Sequence, residues 1–129
     1  MESVPEEPRR TILVIDSDMN ARAALVAALS RAGYDVIAAT NGGLGLSMAE
    51  SARPDLIITD LVAARRSGFL VIEALRTHEE YPTRIIVLTS VDSERGRQYA
   101  EDLGVDAYMT RPFLMDDLLA TVKRVLEDS

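Results

Sequence analysis

Short runs of aliphatic and β-branched residues alternate along the chain with longer segments whose apolar residues recur at helical spacing. The apolar runs predict five strands, at residues 11–15, 34–39, 56–59, 84–88 and 105–109. The segments that follow them predict five helices, at residues 21–32, 44–52, about 67–77, 92–103 and 115–126. Strands and helices that alternate in this way, joined by right-handed crossovers, give a parallel sheet with helices on both faces. We therefore expect one α/β domain over residues 11–129, preceded by a flexible leader at residues 1–10.

Local signals mark where these elements begin and end. Asp18 or Ser17 is placed to cap the first helix, and Gly33 to end it. Asn41-Gly42-Gly43 predicts a turn after the second strand. Together with Gly45 these glycines do not form a dinucleotide-binding fingerprint, because they do not follow the first strand and their spacing differs.

Composition narrows the classes of protein that the domain can belong to. The formal net charge of -7 disfavours direct binding to nucleic acid, because phosphates would be repelled. Without cysteine there is neither a disulfide nor a thiolate metal site. No apolar run is long enough to span a bilayer, and the leader has no apolar stretch typical of a signal peptide. We expect a soluble, cytoplasmic protein with no membrane insertion.

Polar residues directly follow four of the predicted strands. They are Asp16-Ser17-Asp18, Asp60, Thr89-Ser90 and Arg111-Pro112. In open parallel sheets, ligands bind at this carboxyl edge, toward which helix N-termini also point. Carboxylates held close together repel unless a cation joins them, and a hard ion such as Mg²⁺ suits their oxygens. Paired carboxylates, a hydroxyl and a fixed cation are the parts that a site for a phosphoryl group needs.

Five stretches in this order match one known family. They are residues 12–16 with Arg22, Asn41-Gly42, residues 54–60 with Gly68, residues 88–90 and residues 111–113. Together they resemble the receiver domain of bacterial two-component response regulators, over residues 11–127. The resemblance implies a flavodoxin-like, doubly wound fold with a five-stranded sheet in the order 2-1-3-4-5 and five helices. It also implies a site at the switch point of that sheet.

The resemblance implies which residues accept the phosphoryl group and hold its metal. Asp60 would be the phosphoacceptor, with a histidine kinase or a phosphotransfer protein as the donor. Asp16, Asp60 and the backbone carbonyl of Val62 would bind Mg²⁺, with Ser17 or Asp18 as a further ligand. The protein would assist its own phosphorylation and would not be an enzyme with turnover.

The resemblance also implies which residues would respond to phosphorylation of Asp60. Thr89 would contact the phosphoryl oxygens, Ser90 would leave the path to them open, and Arg111 would supply the cation. Tyr108 takes the place of an aromatic residue whose position tracks activation, and the Arg111–Pro112 peptide bond would be cis. The output would be a switch in the surface of the fourth helix, fifth strand and last helix, read by a protein partner or by self-association.

The chain also departs from the family pattern. Ser17 replaces a second acidic residue, which predicts weakened affinity for Mg²⁺. Arg111 replaces a lysine, and its planar fork on a longer stem could reach the acceptor without phosphate. Ala63-Ala64 replaces a Met-Pro pair after the acceptor. Val62 and Val91 occupy positions that tune dephosphorylation, and because neither can orient a water, we expect slow loss of the phosphoryl group.

Two alternatives remain open at this stage. The departures favour a pseudo-receiver, a protein-interaction module with the same fold that works without phosphorylation. Asp16 and Asp18 superficially fit the nucleophile and acid of a haloacid-dehalogenase-like phosphohydrolase, although that reading leaves Asp60 unexplained. His78, the one histidine, lies beside two glutamates and is expected on the surface.

Overall fold

A computed structural model describes residues 9–60, 72–75, 83–90 and 93–127 of the chain. Its strands are β1 (Thr11–Ile15), β2 (Asp35–Ala39), β3 (Leu56–Asp60), β4 (Arg84–Thr89) and β5 (Ala107–Thr110). Its helices are α1 (Met19–Arg31), α2 (Gly42–Ala52), α4 (Glu94–Asp102) and α5 (Met115–Glu127). Residues 72–75 are also helical, and we label them α3. The elements follow one another as the sequence predicts. The ends of those with described bounds shift by at most two residues, which is normal for helix and strand boundaries, while the ends of the helix predicted at about 67–77 lie outside the described residues.

The strands form one parallel sheet in the order β2-β1-β3-β4-β5, which confirms the predicted flavodoxin-like, doubly wound fold. The direction in which strands are added reverses between β1 and β3, so the switch point lies there. In the register of these two strands, Ile15 pairs with Thr59. The next residue of each chain segment is an aspartate, so Asp16 and Asp60 leave the sheet side by side.

The core consists of two apolar layers, one on each face of the sheet. Alternate side chains of a strand point to opposite faces. Ile12 and Val14 of β1 belong to the layer beneath α1 and α5. Leu13 and Ile15 belong to the layer beneath α2 and the α3 residues. Because both faces are covered, the central strands are apolar without alternation, and each buried aliphatic side chain contributes about 1.5–3 kcal/mol to a rigid frame for the edge.

Three helices begin with capping side chains near the carboxyl edge of the sheet. Asp18 caps α1, Asn41 caps α2 and Ser93 caps α4, and each side chain accepts a backbone N–H group of the first turn. These bonds satisfy donors that a helix leaves without partners at its start. At the other end of α1, Gly33 has a φ of 103°, in the left-handed region, which fits its predicted role in ending the helix.

The glycines after β2 lie in a helix, which corrects the predicted turn. Because Asn41 already caps the chain, α2 begins at Gly42. Gly45 faces β1 so closely that an added Cβ would lie 2.4 Å from Cδ1 of Ile15. The absent side chain therefore lets α2 pack directly against β1, one residue before Asp16.

The expected leader falls mostly outside the described residues, which begin at Arg9. The Arg9 guanidinium lies 3.7 Å from the carboxylate of Asp35, and both side chains are exposed. The assignment of residues 1–10 as flexible stays a prediction. In the described ranges, no helix combines the length and the apolar character that crossing a membrane requires.

Candidate functional site

Two buried carboxylates lie side by side at the carboxyl edge of the sheet. Asp60 is the last residue of β3, and Asp16 directly follows β1. Their exposed fractions are only 7% and 2%. Such carboxylates lose most of their hydration and repel each other, so they need a cation close by.

Arg111 supplies that cation. Its Nη2 donates to Oδ2 of Asp16 at 2.7 Å, and its Nη1 donates to Oδ2 of Asp60. The residue follows β5, and its backbone N–H donates to the carbonyl oxygen of Thr89 at 2.7 Å. The peptide bond to Pro112 is cis, as the resemblance implies. The guanidinium therefore joins the ends of β1 and β3 through two charge-assisted hydrogen bonds.

The backbone around β1 fixes the direction of the Asp16 carboxylate. Oδ1 of Asp16, the oxygen that does not bond Arg111, accepts the backbone N–H of Asp18 at 2.9 Å. Arg22, one turn into α1, donates from Nη1 to the carbonyl oxygen of Asp16 at 2.9 Å. Because both carboxylate oxygens and the carbonyl are bonded, Asp16 holds one orientation toward Asp60.

The residues proposed as further metal ligands are placed less directly. Ser17 and Asp18 are both exposed. Oδ1 of Asp18 accepts the first N–H groups of α1, from Asn20 at 2.8 Å and Ala21 at 3.1 Å. Among the described residues, no three acidic or histidine side chains gather where they could hold a metal ion.

The donor set nevertheless fits Mg²⁺ in kind. Asp16 and Asp60 present hard carboxylate oxygens that converge on one cation, the ligand type that Mg²⁺ prefers. Mg²⁺ keeps several waters, so two carboxylates can suffice on the protein side. Asp18 could join the set only through Oδ2, because its Oδ1 caps the first turn of α1.

Thr89 and Ser90 lie one strand away from the acceptor. Asp60 pairs with Leu88, so Thr89 extends one residue farther along the same edge. Thr89 is buried and pairs with Thr110 of β5, whereas Ser90 is exposed. The hydroxyl-bearing residues therefore lie between the carboxylates and β5, on the side from which Arg111 arrives.

Tyr108 lies on β5 opposite Val87, with its ring packed against the layer beneath α2. The Arg97 guanidinium of α4 lies 4.7 Å from the ring centroid, at cation–π distance. The Tyr108 hydroxyl is buried, and no described residue offers it a hydrogen-bond partner. Because Tyr108 belongs to β5 and its ring contacts α4, the position of the ring depends on how these two elements pack.

A contact between α3 and α4 is one that the sequence did not predict. The Tyr99 hydroxyl donates to Oε1 of Glu73. This hydrogen bond raises the pKa of Tyr99, because deprotonation would place two negative charges together. The two residues are far apart in sequence, and neither belongs to a motif, so no local signal could have found the pair.

Several predicted residues lie outside the described part of the chain. They are Val62, Ala63, Ala64, Val91 and His78. Their roles stay predictions. The described residues bring together Asp16, Asp60, Thr89 and Arg111 at one edge.

Comparison with known proteins identifies the family and the fold. The chain matches the family model of the response regulator receiver domain over residues 12–123. The response regulator MprA of Mycobacterium tuberculosis (strain ATCC 25618 / H37Rv) is 39% identical over 116 residues, which are 89% of this chain and 50% of that protein. The alkaline phosphatase synthesis transcriptional regulatory protein PhoP of Bacillus subtilis (strain 168) is 37% identical over 120 residues, 93% of this chain and 50% of that protein.

Solved structures agree with the sequence relatives. The chemotaxis protein CheY4 of Vibrio cholerae superposes with a TM-score of 0.85 at 31% identity, covering 92% of this chain and 99% of that chain. A CheY-like receiver domain protein of Methanospirillum hungatei JF-1 gives 0.87 at 26% identity, covering 94% and 96%. The chain spans about half the length of the curated relatives it matches. It belongs to the family of response regulator receiver domains, the receiving modules of two-component signalling.

Proposed function

We propose that this receiver accepts a phosphoryl group on Asp60 from a phosphohistidine of a histidine kinase or phosphotransfer protein. The observation that carries the proposal is the position of Asp60. It is a buried carboxylate at the end of β3, at the switch point of the sheet, beside a second carboxylate and a guanidinium. Ligands of this fold bind at that point.

The transfer follows from the groups around Asp60. A carboxylate oxygen of Asp60 attacks phosphorus, the phosphorus–nitrogen bond breaks, and its electron pair stays with the imidazole of the donor. Arg111 donates to the phosphoryl oxygens, and the Thr89 hydroxyl contacts them from the next strand. Asp16, Asp60 and the backbone carbonyl of Val62 would hold Mg²⁺, which when bound neutralises charge on the phosphoryl oxygens. The product is an acyl phosphate on Asp60 itself, so the protein is modified by the reaction and does not act as an enzyme with turnover.

The new charge is expected to act on the surface formed by α4, β5 and α5. Thr89 moves toward the phosphoryl group, and Tyr108 follows because it belongs to β5 and packs against Arg97 of α4. The result is a shift between two packings of this surface, biased by the phosphoryl contacts. The reader of the surface is a protein partner or a second copy of the chain, since a net charge of -7 opposes direct contact with nucleic acid.

Phosphoryl loss from Asp60 is expected to be slow. Val62 and Val91, two residues beyond Asp60 and Thr89, have side chains that neither donate nor accept hydrogen bonds. They cannot orient a water for attack on the acyl phosphate. A lifetime of minutes or longer follows, and a lifetime of seconds would contradict this part of the proposal.

A pseudo-receiver is the second candidate, and one observation favours it. Arg111 bonds both carboxylates directly, so the site has a counter-ion of its own that does not depend on modification. No such observation favours the phosphohydrolase alternative. The Asp18 carboxylate, which would act as the acid, caps α1.

Intact mass spectrometry after incubation with acetyl phosphate and Mg²⁺ tests these candidates. The wild-type chain should gain the mass of one phosphoryl group, and Asp60→Asn should gain none. Asp35→Asn, an exposed aspartate of β2, is the matched control and should label like the wild type. No adduct in any variant would favour the pseudo-receiver. Steady hydrolysis that stops in Asp16→Asn would instead favour the phosphohydrolase.

A further inference from the structure

We infer that the Arg111 guanidinium is a tethered counter-ion that competes with the divalent cation for Asp16 and Asp60. In this interpretation the two carboxylates share an internal counter-ion, and Mg²⁺ binds only when Arg111 gives up one of its two contacts. The inference concerns the cation of the site described under the proposed function, and rests on that function only in naming the cation as Mg²⁺.

The two contacts show how Arg111 occupies the space between the carboxylates. Different nitrogens of one planar group bond Oδ2 of Asp16 and Oδ2 of Asp60. Both oxygens converge on the same guanidinium, so a cation that served both would lie where the guanidinium lies. The same oxygen pair therefore cannot coordinate an inner-shell Mg²⁺ while both bonds to Arg111 persist.

The position of Arg111 is also set by its backbone. Its N–H bonds to Thr89 at the end of β4, and its side chain is only 21% exposed. A side chain anchored at its root and bonded at both tips loses little further entropy when it holds the carboxylates. A free ion has to be taken from solution and partly dehydrated, so the tethered group has the advantage at low Mg²⁺.

The remaining acidic groups give the metal little help. Ser17 provides a neutral hydroxyl, and one carboxylate oxygen of Asp18, Oδ1, is taken up by the first turn of α1. Among the described charged side chains of this cluster, Arg111 is set against two carboxylates, so negative charge exceeds positive charge by one. A divalent ion added beside an unmoved guanidinium would leave the cluster positive, and the two cations would repel.

Lysine at this position would not be equivalent. An ammonium group is a compact point charge, whereas the guanidinium offers parallel donors in a fixed fork. Arg111→Lys should keep the charge but bond the two carboxylates less well at the same time. The inference therefore predicts a graded series, in which affinity for Mg²⁺ rises from the wild type to Arg111→Lys and again to Arg111→Met.

Calorimetric titration of the full chain with MgCl₂, without a phosphodonor, tests the series. Arg111→Met should bind Mg²⁺ about tenfold more tightly than the wild type or better, since it removes a competing charge from the ligands themselves. Arg111→Lys should fall between them. Arg31→Met, which removes one exposed charge at the end of α1, is the matched control and should bind like the wild type. Equal affinities in all four proteins would overturn the inference.

A second measurement keeps the test decisive. The thermal midpoint of the wild type should change little on adding Mg²⁺, while that of Arg111→Met should rise clearly, because an ion that binds only the folded state stabilises it. If Arg111→Met does not fold, Arg111→Lys decides, and unchanged affinity for Mg²⁺ in that variant overturns the inference. Labelling of Asp60 by acetyl phosphate is scored separately. Its failure would contradict the proposed function without affecting the order of Mg²⁺ affinities.

Discussion

Aspartates stand at both edges of the sheet, and the two edges use them differently. At the amino edge, Oδ2 of Asp55 accepts the backbone N–H of Thr11, and Oδ2 of Asp106 accepts that of Ile85, each at 2.8 Å. Each carboxylate there accepts a backbone N–H group at or near the start of a neighbouring strand, and the two carboxylates do not share a partner.

At the carboxyl edge, Asp16 and Asp60 lie together, are almost fully buried, and depend on a side-chain charge. An isolated carboxylate bonded to backbone is satisfied at little cost. A buried pair is satisfied only while its counter-ion stays, so its state can be changed by a metal or a phosphoryl group. The aspartates of the amino edge stabilise the fold, whereas those of the carboxyl edge can respond to a change of their counter-ion.

Removing the counter-ion should give the largest effect. Arg111→Met leaves two buried carboxylates without their shared partner and should lower the free energy of unfolding by about 3 kcal/mol. Urea denaturation in Mg²⁺-free buffer measures this change, with Arg31→Met as the control that loses the same charge at an exposed site. If the free energy of unfolding falls by the same small amount in both variants, the buried pair does not depend on Arg111 and the two edges do not differ in this way.

The amino edge should respond to loss of an acceptor rather than of a charge. Asp106→Ala leaves the N–H of Ile85 without its bond and should cost about 1–3 kcal/mol. Asp106→Asn keeps an acceptor oxygen and should cost clearly less in the same denaturation experiment. Acetyl phosphate labelling of Asp60 should be unchanged in both variants once they are folded. Reduced labelling would mean that the amino edge also supports the site.

Asp18 lies at the carboxyl edge but should behave like an amino-edge aspartate. Asp18→Ala should cost about 1 kcal/mol through loss of the α1 cap, while Asp18→Asn should be almost neutral because asparagine caps equally well. Calorimetry with MgCl₂ should give the same affinity for Asp18→Asn as for the wild type. A weaker affinity in Asp18→Asn would instead make this carboxylate a metal ligand.

The smallest effect concerns pH at the amino edge. Burial, reinforced by the negative charge of Glu127, raises the pKa of Tyr34 above its ordinary value. The folded state then retains this proton at pH values where the unfolded chain has lost it. The stabilisation is complete below the ordinary tyrosine pKa and is lost as the pH rises through the folded value. Denaturation midpoints at neutral and strongly alkaline pH should therefore diverge less in Tyr34→Phe than in the wild type.

The fold could be predicted from the sequence because its signals are local and agree with one another. Runs such as Ile12–Ile15 and Leu56–Thr59 are too short and too β-branched for helices, and they fix which residues end at the carboxyl edge. The turn predicted at Gly42 was wrong because Asn41 starts a helix there, and Gly45 is explained by its approach to Ile15, which only the packed structure reveals.

The site could be predicted in part. The neighbourhood of Asp16 and Asp60 follows from strand order, which the family resemblance supplies. The hydrogen-bond partners of Arg111 do not follow from the strand order, because a long side chain can point to one carboxylate, to both or to solvent. Sequence reasoning foresaw a bond to Asp60, while the bond to Asp16 depends on the rotamer and on the backbone anchor at Thr89.

Arg111 also has a consequence for how the edge opens. It directly follows β5, bonds the end of β4 through the Thr89 carbonyl, and reaches the ends of β1 and β3 through Asp16 and Asp60. Four neighbouring strands therefore finish on a single residue, and local unfolding at this edge should be concerted, with shared amide hydrogen-exchange rates. The strand starts at the opposite edge are closed by separate carboxylates, so their amides should exchange independently.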